Sequence, residues 1–263
     1  MLMEGKEVKM SILANKVAIV TGASSGIGKA TAQLFSRSGA LLALAARSEQ
    51  DLNKVSKGLE QENLVVPTDV TKESDCRNLV QKAADHFGKI DILVNAAGVI
   101  MTGSIEDTKL EEWDKMFDIN VRAVFYLTQL ALPYLIKAHG NIVNVSSVTG
   151  LRAFPGVLSY CASKAAVDQF TRCVSLELAS KGVRVNAVNP GVVRTELHKR
   201  GGMDDEKYSQ FLEHSANVTH PLGRVGNPEE IAELILFLAS EKASWITGVT
   251  YAVDGGRANT CFR

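Results

Sequence analysis

The sequence predicts an α/β fold in which one doubly wound parallel sheet of about seven strands is flanked by helices on both faces. Three observations predict it. From Lys16 onward, short runs of β-favouring apolar residues alternate with longer stretches of helical period. Several of the short runs are apolar on both alternating sets of positions, as strands covered on both faces must be. No linker-like segment and no solenoid repeat interrupts the rhythm, so residues 1–263 read as a single domain.

Taken in order, the strands fall at residues 17–21, 41–45, 64–67, 90–95, 141–146, 183–189 and 250–253. Between them lie helical stretches at 28–38, 71–87, 110–136, 159–180 and 228–239. Residues 1–12 are expected to form a flexible tail, as chain ends often do. Residues 196–226 break the alternation: they are polar, punctuated by glycine and placed between a strand and a helix. A long insertion of this kind in a compact domain is expected to be a substrate lid.

Composition narrows the function classes. The 263 residues are 46% hydrophobic and 22% charged, and 29 Lys and Arg balance 29 Asp and Glu. A chain without basic excess has no general electrostatic attraction to nucleic acid or to an anionic membrane, and neither is expected as a partner. The longest apolar run, residues 40–46, is too short to cross a bilayer, and the first residues read as neither a signal nor a transit peptide. Cys76, Cys161, Cys173 and Cys261 have no paired spacing, which fits reduced thiols in the cytoplasm. His198, His214 and His220 match no metal-ligand spacing; they read as solvated loop histidines, and no metal is expected.

Directly after the first strand stands Thr21-Gly22-Ala23-Ser24-Ser25-Gly26-Ile27-Gly28, running into a helix. Glycines let the backbone approach a pyrophosphate closely, and a helix N-terminus offers free N–H groups and the positive end of its dipole. The turn makes the sheet Rossmann-like, although Gly-rich turns also serve as plain connections. The second strand ends at Ala45-Ala46-Arg47, with no carboxylate for the adenosine ribose hydroxyls. A guanidinium pairs well with a 2′-phosphate, so Arg47, helped by Ser48, argues for NADP(H) over NAD(H). A solvated loop cation is the alternative, and Glu49 stands close by.

Tyr160 and Lys164 are four residues apart, which places both on one face of a helix. Poising a phenol near neutrality requires lowering its pKa by about 3 units, roughly 4 kcal/mol. One cation about 4 Å away at an effective dielectric near 20 supplies that much. An exposed helical pair does not, so the pair works only when shielded from water. Ser146 and Ser147 end a strand thirteen residues upstream of Tyr160, at the edge where open α/β sheets place their ligands. A serine hydroxyl there is suited to a carbonyl oxygen that becomes negatively charged. Asn120 lies within a helix striped by Trp113, Phe117, Val121 and Val124. If buried, its amide must fill four hydrogen-bonding positions, commonly through water.

Together these residues resemble the short-chain dehydrogenase/reductase family in its single-domain form, over nearly the whole chain. The resemblance is to its 3-oxoacyl reductase and carbonyl reductase members. It rests on residues 21–28, Asp69 after the third strand, Asn95-Ala96-Ala97-Gly98, Asn120, Ser147, the Tyr160 to Lys164 segment, and Asn189-Pro190-Gly191 with Thr195. It implies that Tyr160 is the general acid or base, that Lys164 lowers its pKa and binds the nicotinamide ribose, that Ser147 positions the carbonyl, and that Asn120 holds a relay water. Gly22, Ser24, Ser25, Ile27 and Gly28 would line the dinucleotide, with Arg47 at the 2′-phosphate and Asp69 and Val70 at the adenine. Asn95 would lie on the adenosine side, Gly98 by the nicotinamide ribose, and Pro190, Val193 and Thr195 around the nicotinamide. The Tyr-x-x-x-Lys spacing argues against the enoyl-reductase relatives. Members that prefer NADP often carry a second basic residue where this chain has Ser25, so that preference leans on Arg47.

Met101, Phe154, Leu197, Met203 and Phe211 are candidates to line an apolar substrate pocket or to join the core. Ala162, Ala166, Phe170, Val174 and Leu178 form a ladder on the helix face away from Tyr160 and Lys164. A helix with demands on opposite faces predicts a homo-oligomer, by the resemblance a homotetramer. The leading reading is an NADP(H)-dependent oxidoreductase acting on a small-molecule carbonyl or secondary alcohol. An NAD-dependent alcohol dehydrogenase of the same fold and a non-catalytic dinucleotide-binding sensor or scaffold are the alternatives.

Overall fold

The computed structural model describes residues 11–260. Seven strands, β1 (Val17–Thr21), β2 (Leu41–Ala46), β3 (Asn63–Pro67), β4 (Ile92–Asn95), β5 (Asn141–Val145), β6 (Arg184–Pro190) and β7 (Thr250–Val253), form one sheet. Its order is β3-β2-β1-β4-β5-β6-β7, and every neighbouring pair is parallel. This is the Rossmann-like α/β architecture read from the sequence, with strand ends moved by at most two residues. Winding runs outward both ways from β1 and β4, so the C-terminal ends of these two strands open a crevice at the switch point.

The helices are α1 (Gly26–Arg37), α2 (Glu49–Ser56), α3 (Glu73–Phe87), α4 (Leu110–Phe117), α5 (Ala123–Ala138), α6 (Val148–Leu151), α7 (Leu158–Ala179), α8 (Leu197–Arg200), α9 (Asp205–His214) and α10 (Pro228–Ala239). On one face of the sheet, Ala18, Val20, Leu42 and Leu44 pack with Phe35 of α1 and Ile231, Ile235 and Leu238 of α10. On the other, Ile19, Ala43, Leu93 and Ile142 pack with Leu79 of α3 and Leu127 and Leu135 of α5. Successive residues of one strand thus feed opposite cores, which is why the strand runs are apolar throughout. Leu and Ala favour helices, yet β2 is a strand because β1 and β3 bury it between them.

The expected tail is corrected in part. Residues 1–10 lie outside the described residues, but Ser11 and Ile12 enter a turn in which Leu13 is buried and its N–H donates to the Ser38 carbonyl at 2.8 Å. The helix expected over 110–136 is divided by a π-helical turn at Asp118–Arg122, which inserts an extra residue per turn. Its whole span, Leu110–Ala138, has a mean hydropathy of 1.3 in its most apolar window and meets the length and composition of a membrane-crossing helix. In this fold it lies against the sheet through Val124, Leu127, Ala131 and Leu135. Residues 196–226 are more ordered than their composition suggested, since they hold α8, α9 and a π-helical turn at Ser215–Thr219.

Candidate active site

The glycine turn closes on the switch point. Gly22 has φ +67° and Gly26 φ +52°, both left-handed. A Cβ on Gly22 would come within 2.8 Å of the Ala96 carbonyl oxygen, and one on Gly28 would overlap the Gly22 carbonyl. Thr21 joins the two strand ends: its hydroxyl accepts from Ala96 N–H at 3.0 Å and Ala97 N–H at 3.1 Å. The side chain of Ser25, the residue capping α1, takes none of that helix's free N–H groups. Ser24, Ser25 and Ile27 are half-buried along the turn. A cradle of open N–H donors, with no room for side chains, fits a pyrophosphate.

At the outer end of the crevice, Arg47, Asp69, Thr71, Glu111, Asp114, Lys115, Asp118 and Ile119 line a cleft of about 440 Å³. Asp69 Oδ1 accepts from the Thr71 N–H at 3.1 Å and its hydroxyl at 2.8 Å. Burial works to raise the Asp69 pKa, but these two hydrogen bonds, together with the charges of Lys72 and Arg47, outweigh it and hold the carboxyl below its ordinary range. Val70, its neighbour, is half-buried. Arg47 is exposed. Ser48 is committed elsewhere, because its hydroxyl caps α2 by accepting from Asp51 N–H at 3.2 Å and donates to the Asp51 carboxylate at 2.9 Å. Asn95 also turns inward: its amide donates to Asn144 Oδ1 at 2.9 Å and ties β4 to β5, while its own Oδ1 is buried without a partner.

Deeper in the crevice, four predicted residues meet. Tyr160 and Lys164 lie one turn apart on α7, both buried, with the Lys164 Nζ 5.7 Å from the centre of the Tyr160 ring. Ser147 caps α6 and is buried at the end of β5. Asn120 enters from the π-helical turn, and a Cβ on Gly98 would sit 3.3 Å from its Oδ1 and 3.6 Å from Lys164 Nζ. The Asn120 amide is satisfied within the protein. It donates to the Val99 carbonyl at 3.0 Å and to Ser163 Oγ at 3.1 Å, approaches Met116 Sδ at 3.0 Å, and accepts from Val99 N–H at 3.0 Å.

The electrostatics differ from the sequence expectation. Burial pushes the Tyr160 phenol up to about 12, against a smaller opposing pull from the Ser147 hydroxyl. Burial likewise lowers Lys164 to about 8, with Asp168 acting to raise it. The lysine Nζ donates to the Val145 carbonyl at 2.8 Å.

Pro190 ends β6, Val193 is buried beside Gly226, and Thr195 stands against the glycine turn, with its Cγ2 3.1 Å from where a Cβ on Gly26 would lie. Tyr208 of α9 clamps Thr195, its hydroxyl accepting from the Thr195 N–H at 3.1 Å and donating to its carbonyl at 2.9 Å. Two of the three histidines are not solvated. Burial, with a smaller push from Arg257, takes His198 down to about 4, and its ring lies 4.6 Å from that of Phe211. His220 accepts from Val192 N–H at 3.0 Å through Nε2 and faces the Ser215 carbonyl at 2.8 Å through Nδ1. That pattern puts its proton on Nδ1.

Sequence reasoning missed Asp168, Asn189 as a side chain, Asn144 and Tyr208. Asp168 continues the four-residue spacing of Tyr160 and Lys164, a signal that was present in the sequence. Among the described residues no group of His, Cys, Asp and Glu is arranged to hold a metal.

A glycine cradle at a switch point, with a buried Tyr, Lys and Ser beyond it, defines a dinucleotide-type fold bearing an oxidoreductase site. Residues 22–258 match the family model described as Enoyl-(Acyl carrier protein) reductase. The 3-oxoacyl-[acyl-carrier-protein] reductase FabG of Thermotoga maritima is 41% identical over 250 residues, covering 93% of this chain and 98% of that protein. The meso-2,3-butanediol dehydrogenase of Serratia marcescens is 37% identical over 92% of this chain and 94% of its own. A Caenorhabditis elegans short-chain dehydrogenase/reductase of unknown function, solved with cofactor, superposes with a TM-score of 0.89 at 37% identity, covering 94% of this chain and 97% of that one. The chain belongs to the short-chain dehydrogenase/reductase family and is an oxidoreductase.

Proposed function

We propose that the chain interconverts a small-molecule carbonyl and its secondary alcohol with NADP(H), in the direction of reduction where NADPH is abundant. The observation that carries this reading is the convergence of Tyr160, Lys164 and Ser147 in one shielded niche next to Gly98 and Asn120. Relatives named for a 3-oxoacyl reductase and a 2,3-butanediol dehydrogenase support it, as these names pair a ketone and an alcohol at a secondary carbon. The Tyr160 to Lys164 spacing favours this chemistry over that in the family model's own description.

Gly22, Ser24, Ser25, Ile27 and Gly28 hold the pyrophosphate, and Asp69 and Val70 flank the adenine. Arg47 takes the 2′-phosphate, with Ser48 fixing the start of the helix beside it. Asn95 braces the sheet on the adenosine side, Gly98 and Lys164 border the nicotinamide ribose, and Pro190, Val193 and Thr195 border the nicotinamide. When bound, the dinucleotide supplies or accepts the hydride. Ser147 donates to the carbonyl oxygen, whose negative charge grows as the reaction proceeds. Tyr160, held protonated by its burial, gives its proton to the forming alkoxide. Asn120 keeps the floor of the niche in place through Val99 and Ser163.

Residues 196–226 form the substrate lid of this single catalytic domain, with Met101, Phe154, Leu197, Met203 and Phe211 as half-buried candidates for the apolar wall. Cys76, Cys161 and Cys173 are free thiols, which supports a reducing compartment such as the cytoplasm. NAD(H) is the second reading. It is favoured by the four carboxylates of Asp69, Glu111, Asp114 and Asp118 around the cleft that Arg47 and Lys115 share, because they oppose a further phosphate. Following NADPH absorbance over a panel of ketones and aldehydes tests the proposal. Oxidation with at least one carbonyl is expected; tight NADPH binding with no turnover across the panel would instead support a sensor or scaffold.

A further inference from the structure

Behind the Tyr160 and Lys164 niche lies a carboxylate with no part in the steps above. Asp168 is 1% exposed and sits one helical turn past Lys164, on the same face of α7. Both of its oxygens accept from the Asn189 amide, at 3.1 and 2.8 Å. The same Asn189 nitrogen donates to the Ser147 backbone carbonyl at 2.8 Å. The fold makes room for it: a Cβ on Gly150 of α6 would collide with Asp168 Oδ2. The neighbouring buried positions of α7 hold Val167, Thr171, Ser175 and Leu178, the uncharged residues that a buried helix face ordinarily carries.

We propose that Asp168 is a positioning residue for the reaction: its carboxylate is the internal counter-charge of Lys164 and, through Asn189, the anchor of the Ser147 backbone. A buried carboxylate costs stability unless it is hydrogen-bonded and near an opposite charge; Asn189 supplies the hydrogen bonds, and Lys164 lies one helical turn away on the same face. Burial disfavours the charged form of each group, while each charge favours that of the other, and Arg172 adds to the effect on Asp168. The groups facing the carboxylate from other elements are Ser146 at the end of β5, Ser147 and Gly150 at α6, and Asn189 of β6. None of these titrates, so the ammonium form of Lys164 is favoured by Asp168 together with the Val145 carbonyl that accepts from it at 2.8 Å.

The inference rests on the roles proposed for Tyr160, Lys164 and Ser147. Its test is the pH profile of carbonyl reduction by Asp168→Asn, which keeps an acceptor for Asn189 and removes the charge. Because the ammonium of Lys164 is the form that donates to the nicotinamide ribose in the proposed function, its loss sets an alkaline limb near pH 8 in the parent enzyme, which should move about one unit lower. At the optimum, kcat should fall about tenfold with KM little changed, since the loss is of alignment rather than of a substrate contact. Asp168→Ser, smaller and also neutral, should move the limb the same way and serves if the asparagine variant folds poorly. Profiles that superpose on the parent's, or activity lost only in proportion to folded protein with the limb unmoved, would overturn the proposal. Tyr160→Phe, assayed alongside, separates the two ideas. An active phenylalanine variant would fault the roles proposed for the site, whereas an inactive one with an unshifted Asp168→Asn would fault only Asp168.

Discussion

Arg47 and His198 each carry a prediction that a single side chain decides. Arg47 is exposed at the rim of a cleft that also holds Asp69, Glu111, Asp114 and Asp118, so its guanidinium supplies half of the positive charge available there, with Lys115. A hydrogen bond to a charged group contributes about 1.5–3 kcal/mol, and Arg47→Asp should reduce the NADPH to NADH ratio of kcat/KM by about 10- to 100-fold. An unchanged ratio would remove Arg47 from cofactor choice. His198 tests the packing of residues 196–226. Its folded pKa, about 4, lies below the ordinary 6.5, so over that window the unfolded chain binds a proton that the folded chain does not. Stability should therefore be complete above pH 6.5 and decline as the pH falls toward 4, by on the order of 2 kcal/mol from this residue. His198→Gln should flatten that decline in denaturant melts; an unaltered slope would mean that the ring is hydrated in solution.

Among the elements, α9 and the π-helical turn do most to shape the site, and neither was legible. The turn at Asp118–Arg122 swings Asn120 toward Gly98, but a continuous apolar stripe from Trp113 to Leu135 carries no trace of the inserted residue. Helices α2 and α9 are polar: α2 buries only Leu52 and Val55, and α9 buries nothing, so hydrophobic periodicity could not find them. Their caps were readable. Ser48 and Asp204 each sit three residues before an N–H that they accept, at Asp51 and Lys207. The Tyr208 hydroxyl ties α9 to Thr195, and Tyr208→Phe removes both of these bonds while keeping the ring. At about 1 kcal/mol per hydrogen bond, KM for the carbonyl should rise about tenfold, with the melting temperature within a few degrees of the parent's. An unchanged KM would show that these bonds do not serve the lid proposed for residues 196–226.

For the molecule as a whole, the places of the strands along the chain were legible because burial on both faces writes itself into Leu41–Ala46 and Val17–Thr21 as unbroken apolar runs. The grouping of the site was legible because Tyr160, Lys164 and Ser147 are spaced by a helix turn and a strand end. What escaped was long-range geometry: the Asn189 bridge spans 42 residues to Ser147 and 21 to Asp168, and no local pattern marks such a bond. The surface leaves Trp245 99% and Leu176 80% exposed, with Phe125 and Tyr251 also open to solvent. A homo-oligomer that covers such side chains remains the expectation, and light scattering at micromolar concentration should give the mass of a homotetramer; a monomer would contradict that expectation.

The central claim is that the Tyr160 phenol delivers the proton to the alkoxide. Its most direct test is single-turnover NADPH oxidation by Tyr160→Phe with a carbonyl that the parent reduces. The rate should drop by about 10²- to 10⁴-fold, with NADPH binding retained as followed by its fluorescence. A phenylalanine variant that turns over at the parent's rate would contradict the account.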